Sequence, residues 1–135
     1  MMLIDHYRKN QINQKHFNHL KPNIMQTFIE LWSAKESWLK MTKEERGNYL
    51  EQIGPVLQGL LEKGVEIISW GKNNTKTTYR ANYDFFAVWK FPTVEIQKEF
   101  EALVEAAGWY NFFHQENLSG ESSTPDVIIG RMIEM

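Results

Sequence analysis

The chain has no cysteine among its 135 residues. Disulfides, thiolate metal sites and cysteine nucleophiles are therefore excluded. It also has no excess of positive charge: 15 Lys and Arg face 17 Asp and Glu, for a net charge of −2. A nucleic-acid or anionic-membrane binder needs the opposite balance, because phosphate contacts draw on Lys and Arg. No apolar run approaches the roughly 18 residues that a membrane span requires. Leu3-Ile4 is followed at once by Asp5, Arg8 and Lys9, so the start has no apolar h-region of a secretory signal. Cytoplasm is the expected location. There is no P-loop, GxGxxG, HExxH or GxSxG pattern, which disfavours nucleotide, zinc-peptidase and hydrolase readings.

What is present is apolar and aromatic content, 42% and 13%. That composition predicts a packed globule and not a disordered chain. Residues 1–22 are polar and rich in Asn, Gln and His, and read as a flexible N-terminal arm. Residues 23–135 read as a single domain. Within the arm, His16 and His19 have the i,i+3 spacing of a helical metal site, but no nearby carboxylate completes a set. No metal and no cofactor are expected.

Four runs alternate with period two, the signature of strands: residues 23–34, 65–71, 83–91 and 109–117. Between the first two, Thr42-Lys43-Glu44-Glu45 forms a capping box. A helix should follow it, carrying Tyr49, Ile53, Leu57 and Leu60 at helical spacing. Gly54-Pro55 should kink that helix, and Gly64 suits the left-handed position past its end. Pro92-Thr93 opens a second helix to about residue 107, with Ile96, Phe100, Leu103 and Val104 on its stripe, and Gly108 stops it. Val127-Ile128-Ile129 suggests a short C-terminal edge strand. The order β-α-β-β-α-β predicts an α+β, ferredoxin-like fold. Right-handed crossovers give a four-stranded antiparallel sheet in the order 4-1-3-2, with both helices on one face.

In each strand one alternate set is nearly all apolar, and the other mixes rings with charges. We assign the apolar sets to the helices: Met25, Thr27, Ile29 and Leu31 in the first strand, and Phe85, Ala87, Trp89 and Phe91 in the third. The other face would then carry Phe28, Glu30, Trp32, Glu66, Ile68, Trp70, Phe86, Val88, Lys90, Tyr110, Phe112, His114 and Glu116. So much exposed ring surface predicts a partner. A homodimer closing a barrel between two such faces is expected.

Three stretches carry a family resemblance: Trp38-Leu39-Lys40-Met41-Thr42 with Glu45-Arg46; Ile53-Gly54-Pro55 with Gly64-Val65-Glu66; and Tyr83-Asp84-Phe85-Phe86-Ala87-Val88-Trp89 with Ala107-Gly108-Trp109-Tyr110. With these the chain resembles the dimeric α/β-barrel superfamily over roughly residues 23–135. That superfamily includes cofactor-free antibiotic-biosynthesis monooxygenases, muconolactone isomerases and haem-binding relatives. The likeness is greatest to an uncharacterised bacterial family of this fold. The resemblance implies the fold and the dimer. It carries over no catalytic residue.

On the mixed face, His114 and Glu30 would meet across neighbouring strands. A carboxylate beside an imidazole fixes its tautomer and raises its basicity, as a general base requires. The structural alternative is a self-satisfied polar pair at the dimer interface. Trp32, Trp70, Phe28, Phe86 and Tyr110 would line a pocket for a planar aromatic ligand, with Trp38 as a lid. Lys90 would bind an acidic group of that ligand, or else form an ion pair with Glu30 or Glu66. Two functions follow. The first is a small-molecule-binding protein or cofactor-independent enzyme, monooxygenase- or isomerase-like. The second is a non-enzymatic homodimer whose mixed face is only an interface.

Overall fold

The computed structural model describes residues 25–135. The arm at residues 1–22 and the His16–His19 pair lie outside the described residues. The described chain forms one unit over residues 25–120 and contributes residues 121–135 to a second.

The first unit contains strands β1 (Gln26–Ala34), β2 (Glu66–Lys72), β3 (Phe85–Phe91) and β4 (Phe113–Glu121). They form one sheet in the order β2-β3-β1-β4, with β1 and β2 both antiparallel to β3. This is the expected order. The helices are the short α1 (Glu36–Leu39), α2 (Lys43–Glu62) and α3 (Val94–Ala106), and a 3-10 turn spans Trp109–Asn111. A further helix, α4 (Pro125–Ile133), falls in the C-terminal unit. The expected edge strand is therefore corrected to helix. Thr124-Pro125-Asp126 explains it: Pro at the first helical position and an acid in the first turn are helix-start signals.

Helix α2 starts at its capping box. Thr42 Oγ1 accepts from Glu45 N–H at 3.1 Å, and Glu45 Oε1 accepts from Thr42 N–H at 3.1 Å. The same bonds hold the Glu45 carboxyl below its ordinary range. The helix runs unbroken through Pro55. Pro55 and Glu51 are both exposed, so the carbonyl left without its N–H partner meets water. Gly64 takes φ 95° directly after the helix, a conformation that costs glycine least.

The core lies between the sheet and helices α2 and α3. It contains Phe28, Trp32, Leu60, Val65, Ala87, Trp89, Phe91, Phe100 and Phe113. Here the first-strand assignment is corrected. Phe28, Glu30 and Trp32 are buried, while Thr27, Ile29 and Leu31 are only half-buried. Register agrees: Phe28 pairs with Trp89 and Glu30 with Ala87, whereas Ile29 pairs with Val88 and Leu31 with Phe86. Directly opposed residues share a face. The reason is area: Phe28 and Trp32 bury more apolar surface than Ile29 and Leu31. The third-strand assignment needs no such change, because Ala87, Trp89 and Phe91 are all buried in this core.

Strand β2 carries a second correction. Its register against β3 shifts between Ile67 and Ser69. Ile68 is the extra residue of a bulge, which resets the alternation. Glu66 opposes Lys90, but Trp70 opposes Ala87. Trp70 therefore stands on the helix side, opposite to Glu66. Among the described residues no helix is long and apolar enough to cross a membrane.

Candidate functional site

Helix α2 presents Tyr49, Gln52, Ile53, Val56, Leu57 and Leu60 at spacings of three and four, one face of a helix. Helix α3 presents Phe100, Leu103, Val104 and Ala107 in the same way. Opposite them stand Trp32, Trp70 and Trp89 from the sheet, with Trp109 from the turn. These surfaces do not close fully on one another. They leave between them a half-open cavity of about 350 Å³, which those side chains line together with Glu30 and Ala106. The cavity lies between sheet and helices, within one chain.

Its lining holds one ionisable carboxyl, Glu30, only 6% exposed. Glu30 Oε1 accepts from the indole Nε1–H of Trp89 at 2.7 Å. Its Oε2 accepts from Gln115 Nε2 at 2.7 Å. Gln115 has no freedom to flip. Its Oε1 accepts from Trp109 Nε1–H at 2.7 Å, and an indole nitrogen only donates. The amide nitrogen must therefore face Glu30, and it also donates to Asn117 Oδ1 at 2.8 Å. Burial pushes the Glu30 carboxyl above its ordinary pKa, and the bonds from Gln115 and Trp89 draw it part of the way back. Among the described residues, no Lys, Arg or His forms an ion pair with it.

The indole rings are held by one another. Trp32 meets Trp70 edge-on at 5.5 Å and Trp109 at 6.0 Å, and Trp70 meets Trp89 at 5.6 Å. Of the residues singled out from the sequence, Glu30, Trp32 and Trp70 come together here.

The others are placed elsewhere. Phe28 packs in the core against Phe91 and Phe100 and does not line the cavity. Trp38, in α1, packs against Tyr49, Phe112 and Phe113, with the Arg46 guanidinium 6.0 Å from its ring. Tyr110 lies in the 3-10 turn, where its carbonyl accepts from Lys35 Nζ at 2.6 Å. Phe86 and Lys90 lie on the opposite sheet face, at the register of Leu31 and Thr27.

His114 is exposed, and alternates with Phe113, which is buried, and Gln115, which reaches Glu30. The expected His114–Glu30 pair is therefore corrected: the two stand on opposite faces of the sheet. Trp89, Trp109 and Gln115 also belong to the site; from the sequence Trp89 reads as core, and nothing near Gln115 singles it out strongly. Gln115 followed by a sixth-residue-back indole donor at Trp109 was the available signal, and it is a weak one.

The fold and site define a class: a ferredoxin-like α+β protein with an indole-lined cavity and a single buried acid between sheet and helices. The sequence matches the family described as a family of unknown function (DUF6616) over residues 25–135, and the chain belongs to that family. No curated protein matches the sequence. Solved structures of chlorite dismutase variants from Candidatus Nitrospira defluvii are similar in fold. One aligns with a TM-score of 0.63 at 11% identity, covering 86% of this chain and 47% of that chain. A second has a TM-score of 0.62 at 11% identity and covers 78% and 43%. A third, determined in complex with cyanide, has a TM-score of 0.61 at 11% identity with the same coverage. This chain spans less than half the length of those chains. The likeness shows the fold alone, a ferredoxin-like α+β arrangement.

Proposed function

We propose that this chain is a small-molecule-binding protein whose ligand occupies the sheet–helix cavity, with Glu30 as the group that anchors it or exchanges a proton with it. The observation that carries this reading is a largely apolar cavity with one buried acid whose orientation is fixed by Trp89 and Gln115. Few convergent polar groups in an apolar pocket are the usual form of a small-molecule site. A buried acid with a raised pKa is a candidate for proton exchange with a ligand. Cofactor-free chemistry of the monooxygenase or isomerase kind would use Glu30 alone as base, without His114.

Haem, which some members of the superfamily bind, does not fit this lining. Among the described residues no His or Met lines the cavity, the chain has no Cys, and the Tyr49 hydroxyl is committed to the Ala107 carbonyl at 2.8 Å. The common protein ligands of haem iron are thus missing or engaged.

The test is to fill the cavity. Leu103→Trp is expected to remain folded and to lower the affinity for a hydrophobic fluorescent probe at least ~10-fold, since the added ring takes the ligand's volume. His114→Ala, on the other sheet face, is expected to leave probe affinity unchanged. Equal affinity in Leu103→Trp and the parent would remove the cavity from consideration.

The partner reading is a homodimer through the opposite sheet face. Ile29, Leu31, Phe86 and Val88 lie there half-buried, beside Lys90 and Glu66. A second copy would cover these apolar side chains. Light scattering at micromolar concentration should then give twice the 16.0 kDa chain mass. A mass of one chain would end this part of the reading.

A further inference from the structure

We propose that the cavity selects an organic cation: a compact apolar body carrying a protonated amine, held by Glu30 and the surrounding indole faces. This rests on the cavity being a ligand site, and adds the charge and chemical class of the ligand.

Three observations lead to it. The first is the sign of the site. Among the described residues its lining contains one acid and no Lys, Arg or His. An anionic ligand would meet Glu30 with nothing to offset it. Lys90, which the sequence suggested for binding an acid, is on the far side of the sheet.

The second is the state of Glu30. It is buried, no cationic partner pairs with it among the described residues, and a lone buried charge is strongly disfavoured. Its two hydrogen bonds occupy one acceptor position on each oxygen. A carboxylate offers about four such positions, so acceptor capacity remains for a donor inside the cavity. An ammonium group supplies both the charge and the donors. A carboxylate that already accepts two fixed N–H bonds is oriented for it.

The third is the ring geometry. Trp32, Trp70 and Trp89 line the same cavity, and Trp70 meets each of the other two edge-on. Rings that meet at steep angles turn their faces in different directions around a shared space. The face of an indole carries the negative part of its quadrupole and attracts cations, most strongly where water is excluded. A neutral hydrophobe would use the ring area but not this field.

Starting from the protonated carboxyl, the proton balance closes by either of two routes. An amine entering as the free base takes the proton from the Glu30 carboxyl. An amine entering as the ammonium displaces that proton to solvent. Both routes end in the same ammonium–carboxylate pair.

A shape-matched series tests it by calorimetric titration of the intact protein. The probes are 1-adamantylamine, 1-adamantanol and adamantane-1-carboxylate at neutral pH. The amine is expected to bind about tenfold or more tighter than the alcohol, with the carboxylate weakest. Glu30→Gln should reduce the amine's advantage to near unity. Equal binding of amine and alcohol, or tighter binding of the carboxylate, would overturn the cation proposal and leave the cavity reading standing. Binding of none of the three would overturn both. The series on the parent protein decides the matter even if Glu30→Gln folds poorly.

Discussion

Trp89→Ala should destabilise the fold by about 3–5 kcal/mol, the range for deleting a large buried aromatic. Trp89 is 2% exposed. Its ring packs against Phe100 at 5.0 Å, Trp70 at 5.6 Å and Phe91 at 6.3 Å. It also supplies the N–H that Glu30 Oε1 accepts. The substitution therefore enlarges the cavity and strips a buried acid of one donor. Trp89→Phe separates these effects. It keeps a six-membered ring in the core and loses the donor with the rest of the five-membered ring, for an expected cost of about 1–3 kcal/mol. Urea unfolding, read as a shift of midpoint at constant slope, measures both. A cost under about 1 kcal/mol for Trp89→Ala would mean that the ring is not part of the packed core.

The second large effect is on pH dependence. Burial raises the Glu30 carboxyl above the reference value of 4.5. The sign follows from proton counting. Between 4.5 and the raised value, the folded chain holds a proton that the unfolded chain has released. Stability therefore falls as pH rises through this window, by up to about 1.4 kcal/mol per pH unit, and is level above and below it. Glu45 works the other way: its lowered pKa means that its contribution is lost as pH falls.

Glu30→Gln isolates the effect. Glutamine has one carbonyl oxygen for two donors, the Trp89 indole and the Gln115 amide. One donor is left unsatisfied, so the variant starts less stable at low pH. It has no carboxyl to titrate, so the gap to the parent should narrow as pH rises. Unfolding free energies of the two proteins from pH 4.5 upward give the comparison. Parallel curves would mean that Glu30 does not titrate as a buried acid.

Much of the architecture is legible in the residues. Thr42 and Glu45 mark a helix start because their side chains complete each other within one turn. Gly64 and Gly108 mark helix ends because both adopt positive φ. The alternation Phe85, Ala87, Trp89, Phe91 identifies the helix-facing side of β3 because no charge breaks that set. These are local signals, and local chemistry is sufficient to read them.

The site itself depends on distant chemistry. In β1, period two separates Phe28, Glu30 and Trp32 from Thr27, Ile29 and Leu31, but says nothing of which set turns inward. Glu30 argues for the outside until its partners are known. Those partners are 59 and 85 residues away in sequence. The bulge at Ile68 is also invisible to periodicity, since a single inserted residue inverts everything after it. Val127-Ile128-Ile129 fits strand and helix equally, and Thr124-Pro125 decides it.

Glu30 sits on β1, Trp89 on β3 and Gln115 on β4. Side-chain bonds thus stitch three adjacent strands across the floor of the cavity. An occupant cannot displace the carboxylate without straining ties to both neighbouring strands, so the floor behaves as a stiff plate. The roof is built differently. Helix α2 covers the cavity with Ile53, Val56, Leu57 and Leu60, apolar side chains that act through contact and not through directed bonds. The sheet therefore supplies the charge of the lining, and the helix above it the apolar surface.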